Sequence, residues 1–462
     1  MSKPIQYIFV LLFLGAMIVS CKVTKSYQSP GVQHMDTFRG AETGDTLTIG
    51  NLPWRKVFTD TILQRIIEQG IAQNLDLQIA YTRIRQAQAY YKQSRSAFLP
   101  DMDANAGVGR VRLSKAQNYG VVSSVTEYQI GLTASWEADI WGGLKSTKKA
   151  SLASLLSTEA GARAIQSEIV SEIADLYYRL MALDEQLSIT GQTVKNWDTT
   201  VLTMQSLQAS ARVTQAAVVQ CVAQREAAAV TIPDINQGIQ QTENALSILL
   251  GMPPSSISRS RLEDEFAVAM LNTGVPAQLL ANRPDVQQAE QTYRAAFELT
   301  NVARTSFYPT LTITGGANFT SFSLSNLFDV ASLGASVVGG LVQPIFNRRL
   351  NKTRLEVAKE QQQAALLGFR STLLIAGQEV SDALSLHASA MGKIAVRTSE
   401  ISALQQSVDY TQELLQNGFA NYTEVITARQ TLLAAQLGRV DDKLQELQST
   451  VSLYTALGGG WR

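Results

Sequence analysis

The sequence has little of what most enzymes and nucleic-acid-binding proteins use. Its 462 residues include two cysteines and two histidines, too few for a disulfide framework or a multi-histidine metal site. Charged residues make up 17% of the chain, and 39 Lys+Arg balance 39 Asp+Glu, so no basic excess is available for a phosphate backbone. The chain also contains no Walker-type phosphate loop, no His-Glu-x-x-His and no Gly-x-Ser-x-Gly sequence. These absences argue against a nucleic-acid partner, a metal or other cofactor, and an enzymatic activity.

Long apolar runs are also scarce, and the one clear case lies at the N-terminus. Residues 5–19 follow Lys3 and are short for a membrane-spanning helix, but they have the position and composition of a secretory signal. The run ends in an apolar residue, a spacer and a small residue before Cys21, which resembles a bacterial lipoprotein cleavage site. We therefore predict that residues 1–20 are removed and that Cys21 carries a covalent lipid. Because Lys22 rather than an acid follows, the expected destination is the outer membrane.

The rest of the chain is an internal duplication. Residues 76–100 align without gaps on residues 285–309, at an offset of 209, with eight identities in 25 positions. Residues 172–175 (EIAD) likewise match residues 379–382 (EVSD) at an offset of 207. Gly251 and the prolines after it cannot continue a helix, so they mark the end of the first copy. We predict an extension at residues 21–58, a first repeat at residues 59–262 and a second repeat at residues 263–462.

Each copy contains a helical stretch that ends at a proline and gives way to segments with a period of two. The prolines are Pro100 and Pro309, which lack the amide donor and restrict the preceding residue. The alternating segments are residues 102–108, 128–137, 310–320 and roughly 333–345. Each has about the nine to eleven residues that a tilted strand needs to cross a bilayer.

Four strands are too few to close a cylinder, and open edges would leave backbone donors unpaired in lipid. The sequence therefore predicts that several chains share one barrel. Aromatic residues near the strand ends could form a girdle at the membrane surface; they are Trp136, Trp141, Phe319 and Phe322. The competing interpretation is a soluble hairpin with one buried face.

Very long helical segments follow the strands, beginning at Gly142 and near Pro344. Residues 144–211 contain no proline, and one helix of that length would approach about 100 Å at 1.5 Å per residue. The last segment repeats its apolar residues every 3.5 positions, which predicts partner helices packed knobs-into-holes. This seam consists of Leu433, Leu437, Val440, Leu444, Leu447, Val451 and Tyr454, and a matching row consists of Leu373, Ala376, Val380, Ala383, His387, Ala390 and Ile394.

Several motifs resemble the TolC-like outer membrane factor family, and more narrowly its lipoprotein branch, the NodT/OprM-like proteins that serve resistance-nodulation-division efflux pumps. They are the paired Phe-x-Pro sequences at residues 98–100 and 307–309, NRPDV at residues 282–286 and YTALGGGW at residues 454–461. The resemblance implies a mainly α fold with a small β part. Three chains would form a homotrimer in which four transmembrane strands per chain close a twelve-stranded β-barrel. The long helices would form a coiled-coil-like α-helical barrel across the periplasm.

The function implied by this resemblance is a passive exit duct in the outer membrane. An inner-membrane transporter and a periplasmic adaptor would energise and load it, so neither catalytic residues nor a nucleotide is expected. The same resemblance places a periplasmic gate on residues 421–428, where Glu424 matches the first acidic position of the family motif and Thr427 replaces the second. Three copies of Glu424 around an axis would attract cations. The sequence fits equally well a glutamate that is simply solvated on a helix face. Gly418 fits a helix break before this motif, where helix tips would contact the adaptor.

Two alternatives remain open at the level of sequence. The duct could belong to a type I secretion system and pass proteins instead of small molecules. The chain could also be a periplasmic coiled-coil lipoprotein with a scaffolding role and no pore.

Overall fold

A computed structural model describes residues 23–30, 48–113, 123–265 and 282–462. Cys21 and the signal predicted at residues 1–20 lie outside these residues. The described chain is mainly helical with one small sheet, which is the predicted fold class. Its helices are α1 (Trp54–Val57), α2 (Thr61–Gln73), α3 (Leu75–Ser96), α4 (Gly143–Ala209), α5 (Gln215–Ala229), α6 (Thr231–Leu249), α7 (Pro284–Thr305), α8 (Leu350–Gln416) and α9 (Tyr422–Ala456). No helix in the described part of the chain is both long and apolar enough to cross a membrane.

The chain divides into two compact units. The first, the sheet unit, comprises residues 1–30, 84–158 and 289–369; the second, the helical unit, comprises residues 31–83, 159–288 and 370–462. The helical unit contains the largest buried side chains, including Phe58, Tyr177 and Tyr454. Phe58 packs edge-on against Tyr454 with ring centroids 5.9 Å apart. The last residue of the predicted N-terminal extension is therefore part of this core.

Four antiparallel strands form the sheet in the order β1-β2-β3-β4. They are β1 (Asp101–Leu113), β2 (Ser123–Ala138), β3 (Thr310–Ser321) and β4 (Leu333–Val342). The first three have 13, 16 and 12 residues and are longer than the nine to eleven predicted. The prediction that the last strand continues to Ile345 is wrong, because β4 ends at Val342. Pro344 explains this end, since it offers no amide to a ladder.

The two long helices show the duplication at full length. Helix α4 and helix α8 both have 67 residues, and both their first and their last residues are separated by an offset of 207. At the same offset, α5 and α6 correspond to the single helix α9. The first copy breaks at Val230 because Pro233 lacks an amide for the carbonyl of Ala229 and its ring crowds that carbonyl. The second copy has Val440 at this position, and α9 continues for 35 residues.

The predicted seam between the last two helices is present. Val440, Val451 and Tyr454 of α9 are at most 2% exposed, and Ala376 and Val380 of α8 are fully buried. Leu433, Leu437 and Leu444 are half-buried. The apolar period of 3.5 thus marks the buried side of both helices.

His387 lies on this seam and joins its two helices. Its Nδ1 is 3.1 Å from the hydroxyl of Ser449, across from α8 to α9. Burial lowers the pKa of His387, and Glu446 partly opposes that shift. The histidine therefore acts as a packing residue with a satisfied polar atom.

The end of each copy packs against the residues that precede its 22-residue helix, which is α3 in the first copy and α7 in the second. Gly251 and Gly458 have φ of +64° and +88°, a conformation that favours glycine. A Cβ on Gly251 would lie 2.5 Å from the carbonyl oxygen of Gln73, and one on Gly458 would lie 2.6 Å from that of Asn282. This close approach brings the NRPDV sequence into contact with the YTALGGGW sequence.

Candidate functional sites: the sheet faces and the helix turns

One face of the sheet is apolar across all four strands. The register places Ala104 opposite Leu132 and Leu132 opposite Ala317, and alternate side chains share a face. Leu132 is 55% exposed and Leu341 is 66% exposed in the single chain. A continuous apolar surface of this kind indicates contact with lipid or a partner. The apolar face comprises Met102, Ala104, Ala106, Val108, Tyr128, Ile130, Leu132, Ala134, Trp136, Leu311, Ile313, Ala317, Phe319, Leu333, Ala335, Val337 and Leu341.

On the opposite face, β1, β2 and β3 carry mostly polar or small side chains. Every acidic residue of the four described strands lies there; these residues are Asp101, Asp103, Glu127 and Glu137. The two strand arginines, Arg110 and Arg112, instead continue the row of Val108 on the apolar face. The polar face can therefore hold water and attract cations.

The predicted aromatic residues lie at two levels of the sheet. Trp136 and Trp141 are at the end where the helices begin, and their indole N–H groups donate to the carbonyls of Phe98 at 2.9 Å and Pro309 at 2.7 Å. Phe319 and Phe322 are at the other end, and Phe319 packs against Phe328 at 5.7 Å. Their role as a girdle at the membrane surface stays a prediction.

The four residues predicted at helix–strand junctions all lie outside the helices and strands. Pro100 and Pro309 directly precede β1 and β3, Gly142 directly precedes α4, and Pro344 follows β4 by two residues. Gly142 has φ of +78°, so its backbone conformation is one that favours glycine.

The N-terminal segment 23–30 is bound to helix α7 inside the sheet unit. The backbone N–H of Lys25 donates to Oδ1 of Asn301 at 3.0 Å, and Nδ2 of Asn301 donates to the carbonyl of Lys25 at 2.9 Å. Asn301 is fully buried, so both of its polar groups depend on this segment and on neighbouring side chains. Tyr27 adds an edge-on contact with Phe297 at 5.6 Å.

The helix turns after α4 and α8 are also copies of one another. Ala211 and Gly418, separated by the offset of 207, have φ of 58° and 80°. Arg212 of the first turn donates from Nη2 to the carbonyl of Gln416 in the second, at 3.0 Å. The core beneath these turns contains Trp197, Met204, Val218, Cys221, Leu415, Val425 and Ile426.

Glu424 occupies the first turn of α9, where the structure gives it a local role. Asn421 is the N-cap, with its side chain accepting the N–H of Thr423 at 3.2 Å, and Glu424 reaches back to the N–H of Asn421 at 3.5 Å. This is a capping box. The signature Asn-x-x-Glu is visible in the sequence, but reasoning from the gate motif alone missed it. Thr427 is exposed and donates to the carbonyl of Thr423 at 2.9 Å.

Arg429 is a second residue that sequence reasoning missed. It lies 5.9 Å over the ring of Trp197 and donates to Gln412 at 2.7 Å, so it joins α9 to both α4 and α8. Burial lowers its pKa. Burial raises the pKa of neighbouring Cys221, which is a small buried residue of the core, as its alanine-rich surroundings suggest.

The chain matches the family model described as outer membrane efflux protein over residues 66–252 and again over residues 275–459. It is 28% identical over 451 residues to the cation efflux system protein CusC of Escherichia coli, covering 96% of this chain and 97% of that protein. It is 27% identical to the solvent efflux pump outer membrane protein SrpC of Pseudomonas putida, covering 98% and 97%. A crystal structure of CusC superposes with a TM-score of 0.87 at 26% identity, covering 95% of this chain and all of that one.

The family model covers most of the chain in two copies. The chain therefore belongs to the outer membrane efflux protein family, which confirms the resemblance inferred from its motifs. It is an outer-membrane component of an efflux system. The domain limits, the lipid on Cys21 and the gate residues Glu424 and Thr427 stay predictions.

Proposed function

We propose that this chain is the outer-membrane exit duct of a tripartite efflux pump and lets small molecules leave the cell passively. The observation that carries the proposal is the sheet: one continuous apolar face, one polar face with all of the described strand carboxylates, and two edge strands. A surface of this kind is stable where lipid covers the apolar side and water fills the other.

The two open edges require that more than one chain takes part. Within the described chain β1 and β4 each pair on one side alone, and unpaired backbone groups are costly in hydrocarbon. Joining β4 of one copy to β1 of the next satisfies both edges. Three copies, the number that the family resemblance implies, give twelve strands in a homotrimeric barrel, which is wider than the eight-stranded barrels that side chains can fill.

The substrates are small molecules in this proposal. CusC is a cation efflux protein and SrpC a solvent efflux protein, and both are similar to this chain over nearly their whole length. The polar face carries Asp101, Asp103, Glu127 and Glu137 without an arginine or lysine from the described strands, which favours passage of cations over anions. The duct has no catalytic role and requires no cofactor, so the driving force comes from its partners.

Those partners are an inner-membrane resistance-nodulation-division transporter and a periplasmic adaptor. The turn after α8 offers the adaptor an apolar side chain, because Phe419 is 82% exposed beside Gly418. Glu424 follows at the start of α9 and, as a ring of three, would restrict the resting aperture and favour cations.

A lipid on Cys21 holds the chain at the outer membrane. The described segment beginning two residues later binds α7 through Asn301, close to the end of the sheet where the helices begin. Replacing Cys21 by serine is expected to abolish acyl labelling while the sheet still folds, because strand pairing does not need the acyl chain. Persistent labelling of the serine variant would overturn this assignment.

The direct test of the duct is conductance. Purified protein added to a planar lipid bilayer should form trimers and give discrete conductance steps, with a preference for cations. A protein that is a stable water-soluble monomer after delipidation, with no conductance, would contradict the duct and favour the scaffold. Co-purification with an adaptor and a transporter, rather than with a protein-secretion system, would establish the pump.

A further inference from the structure

Two arginines of β1 occupy positions on the apolar face of the sheet. Side chains alternate along a strand, so Arg110 and Arg112 share a face with Val108, whereas Glu127 and the other strand carboxylates lie on the opposite face. Both arginines are exposed, and neither forms an ion pair within the described part of the chain. The four described strands contain no other basic residue. All the positive charge of these strands therefore lies on the face opposite to the carboxylates.

The two arginines have hydroxyl groups as neighbours on the same face. The register pairs Arg110 with Thr126 and Arg112 with Ser124, and the Cβ atoms of residues paired in this way are about 5 Å apart. Thr126 and Ser124 are exposed as well. Alternate residues of one strand are about 7 Å apart, so two guanidinium groups and two hydroxyl groups lie within one small area. All four groups are hydrogen-bond donors, and two of them carry a positive charge.

This donor patch, formed by Arg110, Arg112, Ser124 and Thr126, lies at the end of the sheet far from the helices, since α3 ends shortly before β1 begins and α4 begins shortly after β2 ends. Trp136 lies on the apolar face near the helices, ten positions from Thr126 along β2. With a rise of about 3.3 Å per residue and a tilt of about 40°, this separation corresponds to about 25 Å across a membrane. The apolar band of an outer-membrane barrel has about the same height. The donor patch therefore lies at the outer boundary of that band.

Aromatic side chains lie just inside this boundary. Tyr128 is the next residue of the apolar face after Thr126 in the direction of the helices, and Phe319 of β3 pairs with Ile130 on the same face. Aromatic rings followed by basic side chains are typical of the membrane–water interface, where lipid headgroups lie. An arginine at the border of an apolar band can extend its charged end toward those headgroups. The order of apolar, aromatic and basic residues thus indicates that the donor patch faces headgroups.

Assembly of the proposed barrel leaves the donor patch uncovered. β1 is an edge strand, and β4 of a neighbouring chain would pair with it edge to edge, in the plane of the sheet. Side chains stand roughly perpendicular to that plane, so this pairing satisfies the backbone of β1 without enclosing Arg110 or Arg112. Ser124 and Thr126 lie on β2, which already has a partner strand on each side. Because β4 has no charged residue, the neighbouring strand brings no carboxylate to the two arginines.

We propose that the donor patch binds a phosphate group of lipid A, the membrane anchor of lipopolysaccharide in the outer leaflet of the outer membrane. Arg110 and Arg112 donate charge-assisted hydrogen bonds to the phosphate oxygens, for which the planar guanidinium group is well suited. Ser124 and Thr126 donate further bonds from their hydroxyl groups, and the acyl chains lie along the apolar face beside Tyr128. This inference rests on the proposed membrane position of the sheet.

The informative variant is the double substitution Arg110→Gln with Arg112→Gln, which keeps hydrogen-bond donors and removes both charges. Purified protein in mild detergent would be titrated with phosphorylated lipid A and, separately, with dephosphorylated lipid A, and the bound lipid would be counted by native mass spectrometry. Wild type should bind the phosphorylated lipid about tenfold more tightly than the dephosphorylated one. The double variant should bind the phosphorylated lipid about tenfold more weakly than wild type and the dephosphorylated lipid with unchanged affinity.

Two control variants separate charge at this site from general effects. Arg110→Lys with Arg112→Lys keeps both charges and should retain most of the preference for the phosphorylated lipid. Arg65→Gln removes an exposed arginine of α2 and should leave the affinity for both lipids unchanged.

Equal affinity of wild type for the two lipids, or equal weakening of both lipids in the glutamine variant, would overturn the inference. Displacement of lipid A by an equal concentration of phosphatidylglycerol would show a surface that attracts any anionic lipid, and would also overturn it. Conductance of each variant is recorded in parallel, because channels without a preference for the phosphorylated lipid refute this site alone, whereas absence of channels refutes the duct.

Discussion

Arg283 donates a hydrogen bond of 3.0 Å from its guanidinium to the carbonyl oxygen of Ala456, the last residue of α9. In the first copy, Asn74 donates from its side-chain amide to the carbonyl of Leu249, the last residue of α6, also at 3.0 Å. Asn74 directly precedes α3, and Arg283 directly precedes α7. In each copy, one side chain thus binds the carbonyl oxygen at the end of the last helix. The donor is a side-chain amide in the first copy and a guanidinium in the second.

Replacing Arg283 by alanine is expected to destabilise the helical unit strongly. The residue is 8% exposed and also pairs with Asp285 at 2.7 Å and Glu379 at 2.6 Å. Its loss leaves two carboxylates and the helix-end carbonyl without their donor, at a cost of about 2 to 3 kcal/mol. Thermal unfolding in detergent, followed by circular dichroism, measures the change.

The matched variant is Asn74→Ala, which removes the equivalent bond without removing a charge. Its expected cost is smaller, about 1 kcal/mol. Equal destabilisation by the two variants would show that the ion pairs of Arg283 contribute nothing beyond the shared hydrogen bond.

The sequence alone was enough to predict the long helices and the strands. The period of 3.5 identified the seam that buries Val451 and Tyr454, and the alternation of residues 128–137 identified the two faces of β2, because both patterns reflect burial directly. The end of the last strand and the break at Val230 were not obtained in the same way. Each depends on a single proline, Pro344 for the strand and Pro233 for the helix. A pattern of apolar residues does not predict the effect of one proline on the backbone hydrogen bonds near it.

A single alanine variant of Glu424 would not separate its observed role from its proposed one. It completes a capping box with Asn421, and we also propose that it faces the aperture. Glu424→Ala is expected to weaken cation preference, loosen the closed state and lower helix stability by about 0.5 to 1 kcal/mol. Glu424→Gln removes the charge but keeps an acceptor for the cap. It should reduce cation preference equally with little loss of stability.

Bilayer recordings of both variants at matched ionic strength provide the measurement. Asn421→Ala is the control, since it weakens the cap while leaving the carboxylate in place. If ion selectivity stays the same in Glu424→Gln, the residue is a capping residue and the gate lies elsewhere. If Asn421→Ala alone changes selectivity, the effect comes from the helix end and not from charge.

Asp175 of α4 makes stability depend on pH. Burial, with a smaller contribution from Glu172, raises its pKa from 3.8 to about 7, and its Oδ1 is buried without a hydrogen-bond partner in the described chain. Between the unfolded and the folded pKa, the folded chain binds more protons than the unfolded chain, so stability falls as pH rises through this window. The loss is complete above about pH 7 and is at most about 4 kcal/mol per chain.

Asp175→Asn is expected to remove this dependence. The variant should unfold at a higher temperature than wild type at about pH 8 and at a similar temperature at about pH 4. Asp382→Asn is the matched control, because Asp382 is the equivalent residue of the second copy and is exposed. A wild-type unfolding temperature that stays constant across this pH range would refute the assignment.

The candidate sites were less predictable than the fold. The sequence places Glu424 at a helix start, but its contacts with neighbouring chains depend on assembly.

The two faces of β2 give the sharpest test of the membrane position. Leu132 and Thr133 are neighbours in sequence but point to opposite faces, and Leu132 lies midway between Tyr128 and Trp136 on the apolar face. Arginine at Leu132 should cost about 2 to 4 kcal/mol if the residue faces the bilayer midplane, and should reduce the amount of folded protein in outer-membrane fractions. Arginine at Thr133 should be tolerated and should lower cation preference in bilayer recordings, because its charge would lie on the polar side.

If the strands instead formed a soluble hairpin, Thr133→Arg would leave bilayer conductance unchanged. The reverse pattern, with Leu132→Arg conducting normally and Thr133→Arg lost from the membrane, would assign lipid to the other face.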